Sequence, residues 1–478
     1  MSETPVSGVR RHPEQDRRAA PRAGRMRSSL LWLYGAALLY FLLKQCYYAF
    51  AIGGFPDEME HLSYIVEMVK SPSLFPPFGS MPMYYWASGE NGVVVLSVLG
   101  GSVNNVMHPP LYYLFMAFTG GIRILPDGSA EVSLARLRLI NMLFSGGAVV
   151  LSFRLGYTRL KDRPLPVHAL FAAAVVTLPM LAYGGTGINN DNLAFFALVL
   201  FFAGLLRYQE DRLDLKTYLL IGLGFLLGSL SKLTAALIMI LMLLTVLVMS
   251  VIRTRSLKLI LSKYFLITLP CYLLFLIYVL LVKKTYGVFQ PNLYYLVPDY
   301  YYTTPFYVAP ENRVPMTFWE YLRFFAGGVG YTWSSIYCRY PGVTAAMNNA
   351  QFGVVYWIPV FAGLFAAARQ CVTRRFDRYT LPVAVSFLGT LAYHFYSNWT
   401  GYPVSGYLGA VQARYYLGLI VCFAMICCEQ LTSFFERSPR RRRIGTVLAV
   451  LLIACWIAGD GVRLVFVYGF PAEPVMIL

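Results

Sequence analysis

Chemistry-bearing residue types first cluster in one short stretch, Phe55-Pro56-Asp57-Glu58-Met59-Glu60-His61, directly after the first long apolar run. Charge beside hydrocarbon is costly and marks function when it gathers there. Pro followed by Asp reads as a helix start. Asp57 with Glu60 three residues on has capping-box spacing, with Asp in place of Ser or Thr. The helix that follows is amphipathic. Leu62, Ile65, Val66 and Val69 form an apolar stripe, and Asp57, His61, Tyr64 and Met68 fall on the opposite face. Such a helix is expected to lie in the membrane surface with its polar face to water. Glu58, about 100° round from Asp57, leans towards the apolar side. The two adjacent carboxylates are therefore expected to have different environments and different roles. The alternative is that Asp57 only caps the helix, at typically ~1 kcal/mol.

Other reactive types follow. His108-Pro109-Pro110-Leu111-Tyr112-Tyr113 starts a second short helix, read as interfacial; the alternative is an aromatic belt. Asp191, in Asn189-Asn190-Asp191-Asn192, either caps the next span or supplies a second acidic site. Lys232, in Ser231-Lys232-Leu233-Thr234, either snorkels to headgroups or cradles a phosphate. Lys44 has the same two readings, with snorkelling preferred. Arg414, in Gln412-Ala413-Arg414-Tyr415-Tyr416, has the planar fork that suits bidentate phosphate capture. His61, His108 and His394 show no metal-ligand spacing, so no metal residues are assigned. There is no Gly-x-Gly-x-x-Gly and no Walker A.

These residues must be held by a membrane protein. Of the 478 residues 58% are hydrophobic and 13% charged, where soluble proteins carry about 25% charged residues. Net charge is +17, but the Lys and Arg sit mainly in the N-terminal tail and short loops, as the positive-inside rule expects. Nucleic acid is not called for. The expected fold is an all-α polytopic membrane protein of about eleven spans. Residues 1–29 read as a disordered basic cytoplasmic tail and 30–282 as a transmembrane module. Within that module, 53–134 is a long outer loop with interfacial helices. A large Tyr-rich outer loop is expected at 283–350, and further spans at 351–478. Placing every strongly basic loop in the cytoplasm puts Asp57, Glu58, His61, His108, Asp191, Lys232, His394 and Arg414 at the extracytoplasmic face.

On these motifs the chain resembles the GT-C superfamily of membrane glycosyltransferases. It is most similar to the protein O-mannosyltransferases and the bacterial aminoarabinose transferase of lipid A. It also looks like bacterial membrane proteins with a Pro-Asp-Glu start and a Gln-Gly-Arg-Tyr end. The matching motifs are Pro56-Asp57-Glu58, His108 to Tyr113, Arg136 to Asn141, Asp191 and Gln412-Ala413-Arg414-Tyr415, over roughly residues 30–430. Two motifs depart from the family. His108 precedes the two prolines where Lys or Gly is usual, and Asn190-Asp191 replaces the usual Pro-Asp or Asp-Xaa-Asp. A large soluble C-terminal domain is also absent.

The resemblance implies an inverting transfer from a polyprenyl-phosphate sugar to an acceptor hydroxyl on a glycan, lipid or protein. It implies catalytic roles for Asp57 and Glu58, with Asp57 as general base. Lys232, Arg414, Tyr415 and His108 would meet the donor phosphate, supported by His61, Asp191 and Tyr112. No cofactor is assigned, and a divalent metal stays open. The implied setting is a bacterial inner membrane with the N-terminus cytoplasmic and membrane lipids as surroundings. The alternatives are a glycan polymerase or ligase, which would not require the early Asp-Glu pair, and a lipid-linked sugar flippase, which predicts mid-membrane ionisable residues and an inverted repeat.

Overall fold

The computed structural model describes residues 13–51, 55, 57–90, 93–255, 261–334, 336–340, 343–347, 353–377, 379–435 and 438–460. The first twelve residues of the tail, and Pro56 of the acidic motif, lie outside them.

In chain order the helices begin with α1 (Pro13–Ala51), α2 (Glu58–Lys70), α3 (Leu111–Ala117), α4 (Leu134–Arg159), α5 (Leu165–Val176) and α6 (Pro179–Gly184). Then come α7 (Asp191–Gln209), α8 (Leu215–Ser229), α9 (Leu233–Thr254) and α10 (Lys263–Tyr286). Next are α11 (Leu293–Leu296), α12 (Pro298–Tyr301) and α13 (Phe318–Thr332). The last four are α14 (Ile358–Thr373), α15 (Thr380–Ser405), α16 (Ile420–Phe435) and α17 (Pro439–Gly459), with a 3-10 segment Ala413–Leu419 leading into α16.

Eight described segments are long and apolar enough to cross a membrane: α1, α4, α7, α9, α10, Val354–Thr373, Ala413–Thr432 and α17. The expected count of about eleven exceeds this by three. α5 and α8 are apolar but have only 12 and 15 residues, and α15, though 26 residues long, is interrupted by polar side chains and Pro403. α1 starts at Pro13, so helix extends into the stretch read as a disordered tail.

Burial ranks the helices. α7 is apolar all round and lies at the centre, against α4, α8 and the Ala413–Leu419 segment. α10 is as apolar but mostly unburied, so its surface faces lipid. Lys44 does not snorkel. It is buried, with its Nζ 2.6 Å from Asp460 Oδ2 beyond the end of α17, and it donates to Val176 O at 2.6 Å.

The all-α expectation misses a small sheet. Strands β1 (Tyr84–Glu90), β2 (Val93–Val98), β3 (Ile122–Ile124) and β4 (Ala130–Val132) form one antiparallel sheet in the order β1-β2-β4-β3. A separate hairpin pairs β5 (Ile336–Tyr340) with β6 (Val343–Met347). The four-stranded sheet has its own core. Val94, Leu96, Ala130 and Val132 pack with Leu62, Ile65 and Val66 of α2, Tyr112 and Tyr113 of α3, and Leu293 and Tyr301.

The face of α2 expected to meet water is not wet. His61, Tyr64 and Met68, on the face expected to meet water, are as buried as its apolar stripe. Burying both faces makes α2 the central helix of this loop module. α3 likewise buries Tyr112, Tyr113 and Met116, leaving Phe115 and Phe118 exposed. The 283–350 stretch divides between two cores. Leu293 and Tyr301 join the loop module, and Tyr321, Phe325 and Val329 of α13 join the helical core.

Candidate functional site at the helix ends

Four chain segments far apart in sequence meet at one end of the helices: 55–58, 187–192, 230–232 and 410–415. Gly187 permits the closest approach. A Cβ there would sit 2.6 Å from Phe55 Cβ, so only glycine lets the 187–192 turn close on the acidic loop. Asn190 Nδ2 donates to Ser231 O at 2.7 Å, tying that turn to the α8–α9 turn. The N–H of Leu111 donates to Leu230 O at 3.0 Å, which joins α3 to the same place.

The adjacent carboxylates part company. Glu58 is buried, and Arg138 Nε and Nη2 bind its two oxygens at 3.0 and 2.7 Å. Its Oε1 also accepts from the Ile188 N–H at 3.1 Å. Arg138 donates further to Ala49 O at 3.2 Å and lies over the Phe55 ring. Both oxygens of Glu58 are thus spent fastening α2 to α4, to the end of α1 and to the 187–192 turn. The expected apolar leaning of Glu58 is observed. Its arginine partner lay within the Arg136 to Asn141 motif, but nothing in the spacing identified it.

Asp57 makes no capping box. It takes a left-handed backbone, φ 59 and ψ 16, and its side chain caps nothing. Asp tolerates that conformation better than most residues, although it still costs free energy. Freed from capping, the carboxylate accepts from Arg414 Nη2, and 42% of its side chain stays exposed. Burial alone would raise its pKa. The Arg414 charge and hydrogen bond outweigh that and hold it below the ordinary carboxylate value.

Asp191 does not cap α7 either: it is the first residue of that helix, and Asn190 holds the cap position. It accepts from Lys232 Nζ, and its Oδ2 lies 3.9 Å from Arg414 Nε. The four residues form a chain Asp57–Arg414–Asp191–Lys232 of two acids and two bases. Tyr415 lies beneath it, with Lys232 Nζ 4.8 Å and the Arg414 guanidinium carbon 5.7 Å from its ring centre. Arg414 is only 11% exposed. Its Nε is buried and has no hydrogen-bond partner among the described residues. A buried guanidinium donor left open is expensive and calls for an explanation. Asp191, Lys232, Arg414 and Tyr415 line a cavity of about 50 Å³ that continues between apolar residues of α6, α7 and α9.

The remaining expected residues stand behind this chain. His61 Nδ1 is 2.8 Å from Tyr113 Oη, and its ring stacks on Tyr113. Burial pushes the His61 pKa down to about 3, with Asp57 pulling weakly the other way. His108 stacks on His61, is likewise pushed down by burial, and accepts from Tyr64 through its backbone oxygen. Tyr112 is outside the charged chain. It donates to Asn141 Oδ1 at 2.9 Å, and Asn192 Nδ2 donates to the same oxygen at 3.0 Å, so Tyr112 links α3, α4 and α7. His394 Nδ1 is 2.6 Å from Tyr416 Oη and its Nε2 is 2.7 Å from Ala410 O, which supports the irregular segment leading to Arg414. Among the described residues no three His, Cys, Asp or Glu side chains are placed to hold a metal.

No family model matches this chain. No curated protein matches it in sequence. Solved structures match in fold. ArnT from Cupriavidus metallidurans, bound to undecaprenyl phosphate, aligns at 13% identity and TM-score 0.50 over 90% of this chain and 64% of ArnT. The Archaeoglobus fulgidus oligosaccharyltransferase in complex with zinc and sulfate aligns at 13% identity and TM-score 0.51 over 92% of this chain and 53% of its own. This chain thus spans less than two thirds of either. At such identities the likeness speaks for fold: the chain is an integral membrane protein with the GT-C fold.

Proposed function

We propose that the chain is an inverting glycosyltransferase that takes a sugar from a polyprenyl-phosphate donor at the extracytoplasmic membrane face. The observation that carries this reading is Arg414. A buried guanidinium with an open Nε, next to Lys232 and above the apolar walls of α6, α7 and α9, suits a phosphate whose tail is hydrocarbon. The undecaprenyl phosphate bound to ArnT, a protein of the same fold, supports that ligand class. Basic side chains Arg159, Arg207 and Arg253 lie at the far ends of α4, α7 and α9, which supports an extracytoplasmic site.

In the mechanism, the acceptor hydroxyl oxygen attacks the anomeric carbon as the bond from that carbon to the phosphate oxygen breaks. The bonding pair leaves with the phosphate, whose charge Arg414 and Lys232 stabilise. Asp57 takes the hydroxyl proton. Without donor, Asp57 sits on Arg414 and is a weakened base. A phosphate that claims the guanidinium releases the carboxylate and lets its pKa rise, so the base becomes effective only when donor is bound. Glu58 holds Asp57 in place through Arg138 and does not react. The flippase alternative would draw on ionisable groups at mid-membrane, but the buried Lys44–Asp460 pair stands where α17 ends and is tied up with Val176 O and the Tyr40 hydroxyl.

The test is a transfer assay with purified protein in nanodiscs and a set of polyprenyl-phosphate sugars, with polyprenyl-phosphate binding measured alongside. Wild type should bind the lipid phosphate and transfer from at least one donor. Arg414→Gln should lose binding while still unfolding in one cooperative thermal transition. Equal binding by wild type and Arg414→Gln would overturn the reading.

A further inference from the structure

A second cavity opens at the other end of the helix pair that carries Asp191 and Lys232. α7 starts at Asp191 and ends at Gln209; α9 follows Lys232 and ends at Thr254. A cleft of about 630 Å³ lies where both end, against the start of α15. That volume is in the range of small-molecule sites, roughly 300–1,000 Å³.

The walls and the mouth of the cleft differ in character. Leu244, Val248 and Ile252, at i, i+4 and i+8 of α9, form one exposed apolar ridge, and Leu381 faces it from α15. Arg253 and Arg374 stand at the mouth. Arg374 is exposed and has no ion pair or hydrogen bond among the described residues. It caps α14 with a left-handed backbone, φ 53, a costly conformation for arginine. Arg253 has only a long contact, 3.7 Å to the exposed Asp211. Asp377 also lines the cleft, but its carboxylate is spent locally. It accepts from Gln370 Nε2 at 2.6 Å, Thr380 Oγ1 at 2.5 Å, and the N–H groups of Tyr379 and Thr380 at 3.1 and 2.8 Å. The mouth is thus left with two arginines whose guanidinium groups are available, over a hydrocarbon-lined wall.

We propose that this cleft seats one anionic phospholipid, its phosphate between Arg253 and Arg374 and an acyl chain along the Leu244–Val248–Ile252 ridge. A zwitterionic lipid would fill the wall equally well but would bring its own cation to two arginines. Basic pockets between membrane helices favour anionic headgroups for that reason. The inference does not rest on the proposed transfer reaction. It concerns the opposite end of α7 and α9, some 28 Å away along a 19-residue helix at 1.5 Å per residue.

The experiment is native mass spectrometry of the delipidated full chain, offered equal amounts of phosphatidylglycerol and phosphatidylcholine. The expected result is retention of one phosphatidylglycerol in preference to phosphatidylcholine. The R253Q/R374Q double variant should lose the preference, by roughly fivefold per arginine. R253K/R374K should keep much of it. Val248→Trp should lower occupancy by both lipids, and R440Q/R441Q, in the separate basic run at the start of α17, should change nothing. Equal retention of the two lipids by wild type would overturn the proposal. So would an unchanged preference in a folded R253Q/R374Q variant, or a preference lost equally in R440Q/R441Q.

Discussion

At the scale of single residues, the two neighbouring carboxylates make opposite predictions. Asp57→Asn keeps size and tolerance of the left-handed backbone but cannot take a proton, so transfer should fall by ~10²–10⁴-fold with little change in melting temperature. Asp57→Gly should be equally inactive, with the backbone strain relieved. If Asp57→Asn transfers at the wild-type rate, the base lies elsewhere. Glu58→Gln should act through stability. Removing one partner of a buried ion pair costs about 3–5 kcal/mol, because Arg138 is left uncompensated. Replacing both, as Glu58→Gln with Arg138→Met, should cost less than the single change. Thermal unfolding of the single and the double variant measures this, and a Glu58→Gln protein of full stability would remove the clamp. Different environments for Asp57 and Glu58 are expected from a helical separation of about 100° and are found, but they arise otherwise: Asp57 lies outside α2 with a left-handed backbone while Glu58 is its first residue. The capping role offered for Asp57 was not realised, because a positive φ takes its carboxylate away from the helix it precedes.

At the scale of elements, α2 shows what periodicity conceals. A polar stripe of Asp57, His61, Tyr64 and Met68 reads as a wet face, yet His61 is 3% exposed and Tyr64 fully buried against Tyr113. Aromatic and imidazole rings satisfy one another there, so a face that looks amphipathic is packed on both sides. The sheet was harder to foresee. Val93 to Val98 is a β-branched run with a strand signal, but β3 and β4 have three residues each, too few for any period to register. Burying two histidines has a pH consequence. In the unfolded chain His61 titrates near 6.5, and in the fold its pKa is about 3. Below about 6.5 the unfolded state therefore binds the extra proton, and stability falls as pH drops towards 3, while above 6.5 this group contributes no slope. His108 adds in the same direction. Melting temperature should be flat in this respect above neutrality and decline below it. His61→Phe should flatten the decline, and an unchanged acid slope in that variant would contradict the assignment.

At the scale of the whole molecule, residues 57, 191, 232 and 414 meet across separations that no local pattern encodes. Sidedness did the work. Ordering the apolar runs and their basic loops puts all four at one end, and the structure brings them together. What sidedness leaves open is which cation meets which acid. The topology has its own test. In a background with all eight native cysteines replaced, Leu74→Cys in the loop module should react with a membrane-impermeant reagent from outside, and Arg440→Cys only after permeabilisation. The reverse pattern would invert the proposed orientation. The closed pair of Lys44 and Asp460 adds an order in time. Its members are more than 400 residues apart, so until the segment through α17 and Asp460 has been made, the Lys44 ammonium in α1 has no carboxylate beside it. A chain that stops short of α17 therefore keeps a buried cation without its carboxylate. Chains stopped before α17 should be cleared faster than full-length ones, and Lys44→Met should restore their lifetime.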